Sequence, residues 1–312
     1  MFKTMYHLVD SSPELARALA WIYAFFSFAL GASVASFLNV VVWRVPRGES
    51  IVSPPSHCPK CNSPIKWYQN IPILSYLALG GKCAKCRAPI SPRYILVELL
   101  GGCLFLAAFQ HIFGGDVPTV FGNLDAAREP LAAVWMLLLW WIWISLMIVG
   151  SFIDFDHQLL PDFVTVGGMA LGVLNWTLIS LSFRNWHPDF ANLRMYFPLV
   201  WSLAGLAFGF GLLWLVRWLG SKAFKREAMG MGDVFLMGAV GAIFGPVAVL
   251  FTLMTSCVIG SLVGVAMIMA SKAKLGKFVA IPYGPYISMG SLLWMFYGPQ
   301  IVNWYLDLLS AG

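Results

Sequence analysis

From Trp21 to Val45 the chain is apolar for long enough to cross a lipid bilayer, and similar runs recur along its length. A span needs about 20 such residues. Further runs are Tyr94–Phe113, Leu131–Ile153, Phe163–Phe183, Phe197–Leu219, Val234–Leu250, Phe251–Ala270 and Tyr286–Leu308. The sixth and seventh share little room, and Gly245-Pro246 interrupts them, so one is expected to be short or broken there. Composition agrees: 59% of the 312 residues are apolar and 11% charged. A soluble domain carries about 25% charged residues, and disorder needs low hydrophobicity. The expectation is an all-α polytopic membrane protein of about eight transmembrane helices. The first run has no basic segment before it and no small-residue cleavage pattern after it, so it reads as a retained span and not a signal peptide.

Charge sets the orientation. With the loop Pro46–Pro92 in the cytoplasm, fifteen of the twenty Lys and Arg fall on that side. They lie between Arg44 and Arg93, between Arg217 and Arg226, and between Lys272 and Lys277. Lys3, Arg17, Arg128, Arg184 and Arg194 remain outside, as the positive-inside rule prefers. The basic loops then serve topology and anionic headgroups, not nucleic acid. The loops Gly114–Pro130 and Arg184–Tyr196 fall on the far side and receive no role.

The segment Pro46–Pro92 is polar and holds Cys58-Pro-Lys-Cys61 and Cys83-Ala-Lys-Cys86, with 21 residues between the pairs. Two CxxC turns let four sulfurs converge tetrahedrally on one ion, and the gap is close to the usual about 15–20 residues. A reducing cytoplasm argues against disulfides. The expectation is a small cytoplasmic zinc-ribbon-like module holding one structural zinc, with a redox dithiol as the alternative. Three segments follow: 1–45 as tail and first span, 46–93 as the four-cysteine module, and 94–312 as a membrane domain. Cys103 and Cys257 lie in apolar runs and read as small buried hydrophobes.

Ionisable groups in or near a bilayer are costly and point to function. The third span ends at Asp154, and the sixth begins with Gly230-Met-Gly-Asp233. Alternation of the spans puts both aspartates at the cytoplasmic boundary. Two close carboxylates share a proton, so one can take a proton from water while the other protonates the substrate. Asp154 meets the negative end of a helix dipole and Asp233 the positive end, so Asp154 is expected to hold the proton more often. Gly230 and Gly232 would let a substrate backbone approach Asp233. Asp162 reads as a helix N-cap, and Asp156 and His157 as solvated loop residues. Asn39 reads as an interhelical hydrogen-bonding residue, and Glu98 as a boundary charge. A proton-coupled transporter and a non-catalytic assembly platform stay open as alternatives. Against the transporter, both acids sit at one face and the halves show no repeat.

The ordered blocks Gly31-Ala-Ser-Val-Ala-Ser-Phe-Leu-Asn39, Pro54-Pro-Ser-His-Cys-Pro-Lys-Cys61, Asn70-Ile-Pro-Ile-Leu-Ser-Tyr76, Ile90-Ser-Pro-Arg-Tyr94 to Glu98, Ile153-Asp154, Leu160-Pro161-Asp162 and Gly230-Met-Gly-Asp233 span most of the chain. Through them the chain resembles the bacterial prepilin peptidases, bifunctional enzymes of type IV pili and type II secretion. The resemblance implies a GxGD-type membrane aspartyl protease of the bacterial inner membrane. Such an enzyme removes the basic leader of a prepilin or pseudopilin on the cytoplasmic side, usually after a Gly. It then N-methylates the new terminus with S-adenosylmethionine. Asp154 and Asp233 would be the catalytic pair, and Cys58, Cys61, Cys83 and Cys86 the zinc-type tetrad. One departure is Phe235, where the family commonly has Lys. Loss of that cation is expected to leave an Asp233 anion less stabilised or to alter how the substrate docks.

Overall fold

Helices account for nearly all of the regular structure in the computed structural model. It describes residues 13–114, 117–119, 122–124, 130–186, 197–227, 229–270 and 282–310. Lys3, Arg128, Arg194 and the cluster Lys272–Lys277, all used to orient the chain, lie outside the described residues, as does most of the two far-side loops. The chain divides into two compact units, Met1–Ser145 and Leu146–Gly312.

The first unit begins with α1 (Pro13–Arg44), which runs into a single 3-10 turn at Val45–Arg47. A polar loop follows, with a second 3-10 turn at Trp67–Asn70 and the short α2 (Leu74–Ala78). The long α3 (Pro92–Phe113) comes next. Ser91 caps it by accepting the amide of Arg93, and Pro92 takes the first helical position, where its missing N–H costs nothing. α1 and α3 pack closely because glycines face each other: a Cβ on Gly101 would come within 2.5 Å of the Ala35 Cβ. Asn39 of α1 crosses this interface and donates to the Tyr94 carbonyl at 3.3 Å, as the sequence suggested. Strands β1 (Val117–Thr119) and β2 (Gly122–Leu124) form a small antiparallel hairpin. Within this unit, Trp141 of α4 (Pro130–His157) stacks on Phe105 of α3.

The second unit takes the C-terminal end of α4, then α5 (Asp162–Trp186), α6 (Phe197–Phe224), α7 (Met231–Phe244), α8 (Pro246–Ala270) and α9 (Gly284–Ser310). Its core is α7, whose residues from Val234 to Ile243 are buried apart from Phe235. Glycines again set the spacing. A Cβ added to Gly241 would strike the Gly205 carbonyl of α6, and one added to Gly172 of α5 would come within 2.6 Å of the Ala242 backbone. With 14 residues, α7 is about 21 Å long and falls short of a bilayer core. It stops because Gly245 turns to φ +87° and Pro246 begins the next helix. Orphan carbonyls at a helix end are costly in lipid. Here Ser202 donates to the Ala242 carbonyl at 2.7 Å and Trp176 to that of Ile243 at 2.9 Å.

Among the described residues, six helices are long and apolar enough to cross a membrane, within α1, α3, α4, α5, α6 and α8. The expected sixth run is thereby divided at Gly245 into short α7 and the start of α8. Cys103 and Cys257 are exposed on their helices, not buried as expected. A uniformly apolar run does not show which of its faces meets lipid and which meets protein.

Candidate active site and metal centre

α4 ends at His157, and Gln158 adopts a left-handed conformation (φ +52°) while its amide bonds to the Asp154 carbonyl at 2.8 Å. This is the usual way to stop a helix and reverse the chain, in a residue type that seldom does it. α5 then starts after Pro161, whose carbonyl takes the amides of Val164 and Thr165. Asp162 is therefore inside the first turn, an exposed acid near the positive dipole end, and not the cap. Asp156 and His157 are exposed in the last turn of α4 and not in a loop.

The tight return drives Leu160 inward. Its Cβ lies 2.9 Å from where a Cβ on Gly232 would stand, and its Cδ1 3.3 Å from the equivalent point on Gly284. Leu160 thus wedges between the first turn of α7 and the first turn of α9. Around it the two sequence-predicted acids converge. Asp154 is 6% exposed and Asp233 8%. Both border Leu160, Asp154 through Gly284 and Asp233 through the neighbouring Gly232.

Each acid is held differently. Asp154 accepts the Gly284 amide on Oδ2 at 2.9 Å, a bond that reaches across 130 residues. Asp233 is the third residue of α7 after Gly230 at its N-cap, and its Oδ2 lies 3.5 Å from the position of a Cβ on Gly230. The segment ahead of Gly230 is fixed by Arg217, which donates to the Met229 carbonyl and pairs with Glu227, both at 3.0 Å. The space above Gly232 belongs to Leu160, whereas Gly230 is exposed. Phe235 packs its ring on Phe210 of α6, 5.6 Å between centroids. Residues two apart on a helix do not share a face.

In the first unit the four cysteines meet as their spacing suggested. All four sulfurs lie within 4.8 Å of one another, and Cys58 and Cys86 are 3.8 Å apart. A tetrahedron with metal–sulfur bonds of about 2.3 Å has edges of about 3.8 Å, so the cluster can hold a metal ion. The two halves are built alike. Asn62 and Arg87, each directly after the second cysteine, turn left-handed (φ +53° and +57°) and donate their amides to the carbonyls of Cys58 and Cys83. Isolated bridges His57–Pro64 and Lys82–Pro89 close each loop. The thiols are not equivalent. The amides of Cys86 and Lys85 bring Cys83 down to about 6. The hydroxyl and amide of Ser63 also lower Cys61. Cys86 is drawn down by the Ala88 amide, but desolvation and the three neighbouring sulfurs push it up to about 11.

Glu98 proves more than a boundary charge. It is 9% exposed and accepts the Ile73 amide at 2.7 Å. Ile73 is a β-branched residue at φ +65°, ψ −54°, a conformation costing about 1–3 kcal/mol that persists only when its surroundings impose it. Gly284, the wedging role of Leu160 and the anchoring role of Glu98 were not read from the sequence. Two signals were present: Gly284-Pro285 opening a span, and a carboxylate inside an apolar run.

The four cysteines and the two aspartates fall within two family matches. Residues 29–112 match the Bacterial Peptidase A24 N-terminal domain, and residues 141–265 match the Type IV leader peptidase family. A prepilin leader peptidase/N-methyltransferase of Aeromonas salmonicida is 32% identical over 95% of this chain and 98% of its own length. One from Pseudomonas aeruginosa is 34% identical over 89% and 91%. One from Myxococcus xanthus is 38% identical over 80% of this chain, which spans 64% of that relative's length. No solved structure matches. The chain belongs to the prepilin leader peptidase/N-methyltransferase family.

Proposed function

We propose that Asp154 and Asp233 form the catalytic dyad of a membrane aspartyl endopeptidase. It removes the basic leader of a type IV prepilin or type II secretion pseudopilin at the cytoplasmic boundary of the bacterial inner membrane. The observation that carries the reading is the meeting of two buried carboxylates from distant helix ends, one of them fixed by the Gly284 amide. In the reaction one carboxylate takes a proton from water as its oxygen attacks the scissile carbonyl. The other gives its proton to the substrate, and the C–N bond breaks with the proton ending on the leaving amine. The exposed Gly230 leaves room for a substrate backbone beside Asp233. Together with α7 and α9, the six long apolar helices make eight membrane-embedded helices.

Cys58, Cys61, Cys83 and Cys86 hold one structural zinc, and a site closed by four thiolates has no open position for chemistry. The new N-terminal amine is then methylated, with S-adenosylmethionine as methyl donor. The names of the relatives favour this reading over a transporter or an assembly platform.

The test is detergent-purified protein with a synthetic prepilin, scored by mass for leader loss and methyl gain. Asp154→Asn and Asp233→Asn are each expected to leave no more than a trace of cleavage. Substantial cleavage by either variant would remove the dyad, and cleavage without methyl gain in the parent protein would remove the second activity alone.

A further inference from the structure

The amide that Asp154 accepts belongs to the peptide between Tyr283 and Gly284. Among the described residues it is the one donor to the Asp154 side chain. Space requires glycine at 284, since a Cβ would stand 2.7 Å from Asp154 Oδ2. Yet glycine has the freest backbone of any residue. A peptide plane turns through the soft dihedrals that flank it, and here one of them is the φ of Gly284. Steric need and conformational freedom therefore conflict at the point that steadies the carboxylate. Another contact has to hold the plane.

Tyr283 supplies it. The carbonyl of the same peptide accepts the amides of Tyr286 at 3.0 Å and Ile287 at 3.2 Å, in the first turn of α9. The Tyr283 hydroxyl lies 2.7 Å from Ser256 Oγ and 3.4 Å from Cys257 Sγ, both on α8. Ser256 is fully buried and donates its single proton to the Leu253 carbonyl at 2.9 Å. The phenol therefore donates to Ser256 Oγ, and the Cys257 thiol can donate to the phenol oxygen. The Tyr283 ring meets Tyr286 edge-on, 6.3 Å between centroids. One hydroxyl thus ties α8 to the start of α9.

We propose that Tyr283 is a positioning residue of the dyad. Its hydroxyl, anchored on Ser256, holds the Tyr283–Gly284 peptide so that the amide faces Asp154 Oδ2. The proposal rests on the dyad reading given above and adds what keeps one of its carboxylates aimed. Tyr283 acts through Gly284 and does not touch the substrate. Without the hydroxyl the ring keeps its place against Tyr286, but the plane gains freedom about the Gly284 φ. Asp154 then leaves the reacting geometry more often, so turnover falls while substrate binding stays.

The experiment measures steady-state cleavage of a synthetic prepilin by the full chain in detergent, with thermal unfolding of each variant alongside. Tyr283→Phe and Ser256→Ala are each expected to lower kcat by about tenfold, with KM within about twofold of the parent's. The double variant is expected to lose no more than either single one, because both remove the same bond. Ser202→Ala is the structural control, since it removes a buried hydrogen bond at the far end of α7. It is expected to lower the unfolding temperature while kcat stays within about twofold of the parent's. Parent kcat in Tyr283→Phe or Ser256→Ala overturns the proposal, as does a double variant whose loss is the product of the single losses. A raised KM at unchanged kcat would make Tyr283 a substrate contact, and an equal kcat loss in Ser202→Ala would make the effect general destabilisation; either result overturns it. If one of the two variants does not fold, the other decides. Should Asp154→Asn cleave substantially, the dyad reading falls and takes the proposal with it. Should Asp154→Asn be inactive while Tyr283→Phe turns over like the parent, the tether alone falls.

Discussion

Gly284 donates its amide to Asp154 and leaves no room for a side chain of its own. A Cβ there would stand 2.7 Å from Asp154 Oδ2 and 3.3 Å from Leu160 Cδ1. Gly284→Ala is therefore expected to push the carboxylate aside, and a misplacement of about 1 Å can cost about a hundredfold in rate. Single-turnover cleavage of a synthetic prepilin checks this; a rate within a few-fold of the parent would show that the amide contact is dispensable. The two aspartates were legible in the sequence because carboxylates stand out against apolar spans. Leu160 stood in one of the blocks that carry the resemblance, but its wedging role was not legible, since a leucine's letter does not say where its side chain packs. Nor was the Gly284 amide, since a backbone donor has no letter of its own. Arg44 was read as a topological charge, and only burial separates it from the exposed Arg and Lys nearby.

Among the elements, α7 shows best how the second unit is built. Gly245-Pro246 announced a break, and the helix does stop there. The close approach of α5 and α6 to α7 was not announced, because glycines in apolar runs look alike until their neighbours are known. Backbone sits where a Cβ on Gly241 would go, while Gly211 of α6 and Gly167 of α5 have nothing within 4 Å. Gly241→Ala is expected to destabilise the protein by about 1–3 kcal/mol through overpacking. Gly211→Ala and Gly167→Ala are expected to be neutral or to stabilise by up to about 1 kcal/mol, as Ala is the better helix former. Unfolding of the three variants in detergent separates the cases, and equal effects would contradict the packing described here.

At the scale of the whole molecule, the sequence announced a membrane protein with a four-cysteine module, and the cysteine spacing was the clearest of its signals. It could not announce the tie between Glu98 and Ile73, which joins a long apolar helix to the polar loop in three dimensions. That loop holds only short helical turns, so under the zinc proposal the metal would supply much of its order. Chelation by phenanthroline, or Cys83→Ser, is expected to take bound metal from about one ion per chain to near none. Either is also expected to speed proteolysis between residues 46 and 93. Metal loss with an unchanged digestion pattern would show that the loop is ordered without the ion. The bond from Gly284 back to Asp154 has its own consequence for biogenesis. A ribosome makes both acids before it makes the residue that steadies one of them. Under the dyad proposal, the growing polypeptide is a blunt tool until translation has passed Gly284.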